Sequence, residues 1–181
     1  TSKRRSSFDL FFGYRYHRIV LDITGYSGWY DFGPYSVPVS GDEHALYYKV
    51  QYHSPHVGFR FKAGNPERTQ FHIQAAVAPT YMSDYDDHLL RYKVATADGW
   101  GEGVIAQSGI RFNLKRSPHV RPYFELVTRL TYFHGSPSQT QQWYGNDPAS
   151  SFDDTGLELT GIPHSITYSH FTLGARFGIE F

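Results

Sequence analysis

Residues 167–181 alternate with a period of two. One face carries Thr167, Ser169, Phe171, Leu173, Ala175, Phe177, Ile179 and Phe181. The other carries Tyr168, His170, Thr172, Gly174, Arg176, Gly178 and Glu180. Every charge is on one face and every large aliphatic side chain on the other, as in a β-strand between an apolar and a polar environment. Residues 120–133 repeat the pattern, with Phe124, Leu126, Leu130 and Tyr132 opposed to Arg121, Glu125 and Arg129. Cross-strand partners can neutralise that charged row. Residues 102–114 set Val104, Ala106, Ile110, Phe112 and Leu114 against Gln107, Arg111 and Asn113. Residues 69–81 set Phe71, Ile73, Ala75, Val77 and Tyr81 against Gln70, His72, Gln74 and Thr80. In 44–62, Leu46, Tyr48, Val50 and Tyr52 share one parity and Val57, Phe59 and Phe61 the other, which predicts a bulge at Ser54-Pro55. Near the start, Phe8, Leu10, Phe12 and Tyr14 oppose Asp9 and Arg15; from 18 onward Ile19, Leu21 and Ile23 oppose Arg18, Asp22 and Thr24. The pattern predicts seven strands, at 7–16, 17–32, 44–64, 67–83, 88–114, 120–134 and 164–181.

The connections predicted at 15–17, 65–68 and 115–119 are short. Those at 32–43, 83–89 and 134–163 are longer, polar and rich in Gly, Pro and Ser. Composition sharpens the reading. Aromatic residues make up 18% of the 181, yet mean hydropathy is only −0.48. In a membrane barrel only every second residue meets lipid, so hydropathy stays low while one face is apolar and aromatics gather at the interfaces. A soluble sandwich or lipocalin-like barrel shares the alternation. Gly174 and Gly178 on the charged face suit a crowded lumen instead, and the terminal Phe181 resembles the closing aromatic of bacterial outer-membrane barrels. The expected fold is therefore all-β: a single antiparallel transmembrane β-barrel domain over 1–181 in the bacterial outer membrane, long loops outward. Such barrels have an even strand count; seven would put Thr1 on the long-loop side, so either the count is off or N-terminal strands are absent. Seventeen basic and 17 acidic residues balance and imply no nucleic-acid partner; without cysteine there is no disulfide or thiolate metal site.

The candidate chemistry lies in Ser83-Asp84-Tyr85-Asp86-Asp87-His88, expected at a hairpin tip on the outward side. A carboxylate beside an imidazole is a proton-transfer pair able to activate water, and histidine titrates closest to working pH. A spacing of two puts Asp84, Asp86 and His88 on one face and Asp87 on the other. The same residues also read as a solvated acidic loop. Asp84, Asp86 and Asp87 could supply oxygen ligands to a divalent cation, but the glycine and distal glutamate of an EF-hand loop are missing. The other histidines read as bystanders: His72 facing the lumen, and His134, His164 and His170 lining the upper lumen or last loop. His164-Ser165 and His170 are too generic to identify a lipid-A deacylase.

The stretch resembles the Asp-x-Asp-x-His loop of the omptins, outer-membrane aspartate–histidine proteases. Phe8-Asp9-Leu10, Gly25-Tyr26 and Ser54-Pro55-His56-Val57-Gly58 are similar to omptin segments in the same order. The resemblance covers the last seven strands of a ten-stranded fold. It implies an endopeptidase cleaving exposed peptides beside basic residues. His88 would activate the water, Asp86 would orient the His88 imidazole, and Asp84 would bind the substrate's basic side chain. It needs no cofactor or metal, and implies lipopolysaccharide as an activator. Here Tyr30 and Gly64 stand near the expected basic residues, and Arg60 and Lys62 face the other side. The family's second aspartate pair precedes this chain, on missing N-terminal strands or a companion chain, so the isolated chain is expected to be inactive. Lys3-Arg4-Arg5 would be an attractive cleavage site. The alternative is a non-catalytic barrel: an adhesin, small pore or structural protein.

Overall fold

The computed structural model of the protein describes residues 5–32, 35–114 and 120–180. The expected turn at 115–119, the cleavage site at Lys3-Arg4 and the terminal Phe181 lie outside the described residues. The strands are β1 (Arg5–Phe32), β2 (Tyr35–Gly64), β3 (Thr69–Val77), β4 (Thr80–His88), β5 (Lys93–Asn113), β6 (Arg121–Gly135), β7 (Ser138–Trp143), β8 (Glu158–Pro163) and β9 (Ile166–Glu180). All pairings are antiparallel. A three-residue 3₁₀ turn, Leu89–Arg91, joins β4 to β5.

These strands form six lines, because β3 continues as β4, β6 as β7 and β8 as β9. The breaks fall at Ala78-Pro79, Ser136-Pro137 and His164-Ser165, beside Pro79, Pro137 and Pro163. Proline lacks the N–H a ladder needs, so it stands where pairing lapses. The sheet runs β1-β2-β3-β5-β6-β9 and curls into a small barrel; among the described residues no ladder joins β1 to β9. Inward side chains nevertheless meet across the gap: Arg15 Nη1 donates to Thr131 Oγ1 at 2.7 Å, and the His17 and Tyr168 rings lie 4.8 Å apart.

Two expected features are corrected here. No turn interrupts the chain at 15–17: β1 is one 28-residue strand, and its register with β2 runs unbroken from Tyr14↔Pro55 to His17↔Tyr52. Arg15-Tyr16-His17 offers no turn chemistry, and all three extend readily. The strand lines number six rather than seven, which puts Arg5 and Glu180 at the same end, beside the turn at 65–68. Nor is there a bulge at Ser54-Pro55. The register of β1 and β2 shifts only between Ile23 and Tyr26, where Gly25 has φ +74°. The long connection expected at 32–43 shrinks to 33–34, outside the described residues, because β2 begins at Tyr35. Residues 83–88 are strand, not loop. Among the described residues only 144–157 remains a long connection.

Parity is constant along each line, but the meaning of the faces reverses. In the lower half the apolar residues point outward: Phe12 is 91% exposed, Leu173 72% and Phe177 81%. The inner face there is polar, with Arg60, Gln74, His72, Gln107, Arg111 and Glu125 lining a common cavity of about 200 Å³. An exterior ring row then crosses the sheet, Tyr16–His53–Tyr81–Trp100, with centroids 5.0, 6.5 and 5.7 Å apart. Above that level the apolar residues turn inward. Val50, Tyr52, Met82, Phe133 and Ile166 are buried together, with Ile19 and Tyr48 packed against them. Ile19 thus faces in and Arg18 out, so the alternation predicted from 18 onward holds with its apolar side toward the lumen.

Candidate active site

Above the apolar layer, β4 presents Met82, Asp84, Asp86 and His88 inward in succession, each pair separated by about 6–7 Å of strand. Pairing with β2 on one side (Val50↔Asp84, Tyr48↔Asp86) and β5 on the other (Ala97↔Asp84, Lys93↔His88) holds the row. The acidic motif is therefore built on a central strand rather than a mobile tip.

His88 Nε2 lies 2.9 Å from Asp86 Oδ2, with their side chains 34% and 23% exposed. Directed at the carboxylate, Nε2 carries the proton and Nδ1 keeps the lone pair. A neutral imidazole so oriented is a general base accessible to water. Asp84 lies one inward step lower. Its side chain is only 2% exposed, and its Oδ2 is 2.9 Å from His164 Nε2. Burial pushes the Asp84 carboxyl above its ordinary range; His164 pulls it back, and Asp86 adds to the rise. Asp84 Oδ1 and Asp86 Oδ1 are both buried without a hydrogen bond from the described residues.

Asp87 points outward, as the spacing predicts. Its Oδ1 accepts from Tyr144 Oη at 3.0 Å and its Oδ2 from Tyr85 Oη at 3.3 Å. Asp84, Asp86 and Asp87 consequently do not converge, which removes the divalent-cation arrangement they were weighed for. Burial, then Asp87, pushes the Tyr144 hydroxyl up to about 12. Arg60 and Lys62 face the lumen cavity, Arg60 donating to Gln74 Oε1 at 3.0 Å.

Three contributors were missed in the sequence. His164 was read as a bystander, although it bonds the deepest carboxylate of the row. Lys93 is buried opposite His88, with Nζ 5.6 Å from the Trp143 ring; burial lowers its pKa, Arg91 lowers it further, and Asp86 and Asp147 oppose the fall. Tyr48 on β2 stands near both carboxylates: burial, then Asp84 and Asp86, raise its pKa. Parity along an unbroken β2 would have placed Tyr48 inside. Nothing local marks His164 or Lys93.

The connection 144–157 is fastened beside the site. Arg91 Nη2 and Nε lie 2.7 and 2.8 Å from Asp147 Oδ2, and the Ala149 N–H donates to Asp147 Oδ1 at 2.9 Å. Burial alone would raise the Asp147 pKa, but Arg91, Ala149 and Trp143 together bring it below the usual value. Arg91→Met leaves that carboxylate buried without its cation. It is expected to cost about 2 kcal/mol, the scale of a hydrogen bond to a charged group, read as faster proteolytic nicking within 144–157. Because the folded pKa is depressed, the stabilisation is present above the ordinary carboxylate range and lost as pH falls through the folded value. The two proteins should therefore converge at acid pH. No protein-family model, curated protein or solved structure matches the chain.

Proposed function

We propose that the protein is an outer-membrane endopeptidase of omptin type, cleaving exposed peptides beside basic residues through a water activated by Asp86 and His88. The observation that carries this reading is the 2.9 Å Asp86–His88 contact, held inward on a central strand above the apolar belt. In this reading the lower strands cross the bilayer, the exterior ring row sits at the outer interface, and the site projects outside the cell. The outward apolar belt below and the inward apolar core above support that placement, since the two halves match different surroundings. His88 Nδ1 takes a proton from water as the water attacks the scissile carbonyl, and Asp86 stabilises the imidazolium. Asp84 binds the neighbouring basic side chain. In this reading a second carboxylate pair holds the water from the opposite side.

The test is incubation of the intact protein in detergent micelles with a peptide bearing one Arg-Arg pair. Mass spectrometry should find a single cut beside a basic residue, and a peptide with the pair replaced by Ser-Ser should stay intact. If both peptides survive, a non-catalytic barrel is the better reading. Among its forms a small pore is the least supported, because the buried layer of Tyr52, Met82 and Phe133 fills the lumen below the site.

A further inference from the structure

One contact in the upper lumen has no part in activating the water. Two strands, β5 and β7, separate β4 from β8 in the sheet. Three inter-strand steps span roughly 14 Å along the surface, yet His164 Nε2 reaches Asp84 Oδ2 at 2.9 Å. The curl of the sheet brings them together across the lumen. His164 is not a free side chain that happens to fall there. It stands in the break between β8 and β9, directly after Pro163, and its own N–H donates to Pro137 O at 3.2 Å in the corresponding break of the next line. Both partners are thus fixed by backbone pairing.

The bond uses only one carboxylate oxygen. Asp84 Oδ1 is buried and unpartnered among the described residues, and a buried carboxylate is costly until its remaining lone pairs find donors. Besides His164, the Ala97 backbone N–H of β5 also favours the charged Asp84, and the titratable groups facing it are Asp86 on its own strand and Tyr48 and Tyr52 from β2. From β5, Lys93 acts on Asp86 and Asp147; β7 presents the neutral Gln139 and Gln141 at the positions opposite Ala97 and Ala95. Among the described residues His164 is therefore the protonatable donor bonded to Asp84.

We infer that His164 is the positioning residue of the cation-binding carboxylate: by holding Asp84 Oδ2 it keeps Asp84 charged and turns Oδ1 toward the guanidinium or ammonium group of the substrate. This rests on the peptidase reading of the site, and the test is arranged so that either can fail alone. The probe is a non-hydrolysable arginine peptide with a reduced scissile bond, titrated calorimetrically into the intact protein across pH. A matched citrulline peptide serves as the neutral control.

His164→Ala should weaken arginine-peptide binding about tenfold near neutral pH, the scale of one hydrogen bond to a charged group, with little change for citrulline. Burial raises the Asp84 pKa and His164 lowers it, so losing His164 leaves the carboxyl protonated to higher pH. The acid limb of binding should move to higher pH. His164→Gln, which can donate to the same oxygen, should recover part of the affinity, and His164→Ala should add nothing in an Asp84→Asn background. An acid limb that stays in place, an equal loss for both peptides, or a loss that persists with Asp84→Asn would make His164 a structural strut and overturn the inference. If arginine binding follows these rules while the Arg-Arg substrate survives intact, the peptidase reading fails and the positioning role stands.

Discussion

His88→Ala should lower the rate of Arg-Arg peptide cleavage by about 10²–10⁴-fold, the range a positioned general base supplies, while the affinity for the non-hydrolysable arginine peptide stays within a factor of about two, well inside the tenfold that one pKa unit represents. The split follows from the row on β4. His88 is the uppermost member, partly exposed, and meets Asp86 rather than Asp84. Its removal takes away the proton acceptor but leaves the cation-binding carboxylate and its histidine in place. Asp86→Asn should produce a loss of the same order for a different reason. The amide keeps the shape but no longer stabilises the imidazolium, and its NH₂ can hold the imidazole in the wrong tautomer. Full activity of His88→Ala, in a preparation that cleaves at the basic pair, would exclude His88 as the base.

The common face of the β4 residues was legible because spacing two on an extended strand fixes a common face whatever the strand faces. Asp84, Asp86 and His88 share the lumen, and Asp87 turns away onto Tyr144 and Tyr85. The outward apolar rows of β5, β6 and β9 were legible for the same reason. What failed was the inference of geometry from hydrophobicity. The supposed bulge at Ser54-Pro55 and the supposed turn at 15–17 are one misreading made twice, since Arg15↔Ser54 and Tyr14↔Pro55 are cross-strand partners. At that level the apolar side chains pass from the outer face to the inner face while the backbone continues without a break. Alternation reports which positions are apolar. It does not report which side of the sheet is apolar, and here the answer changes along each strand. His164 was missed because its partner is 80 residues away and three strand lines across. Only the curvature of the sheet joins them.

Phe133→Ala is the substitution expected to damage the fold most, by about 3–5 kcal/mol. Phe133 is fully buried, and it stacks on Tyr52 and Tyr168 at centroid distances of 5.6 and 5.8 Å. Its ring fills the space that Gly103 leaves open; a Cβ on Gly103 would meet that ring. Phe133 and Tyr168 are cross-strand partners on β6 and β9, and Tyr52 comes from β2, so this stack ties β2 to two lines with which it shares no ladder. It also closes the lumen between the carboxylate row above and the chamber around Glu125 below. Truncation should therefore have two consequences that a surface change would not combine. The urea midpoint of unfolding, followed by tryptophan fluorescence, should fall by the equivalent of that energy. In planar bilayers a steady conductance should appear that the parent protein lacks. Phe133→Leu, which keeps most of the volume, should cost less than half as much and keep the lumen closed, as volume-conserving core changes do. A Phe133→Ala protein as stable as its parent would mean that the layer is not the joint between the two halves of the barrel. The curl that brings His164 to Asp84 would then need another source.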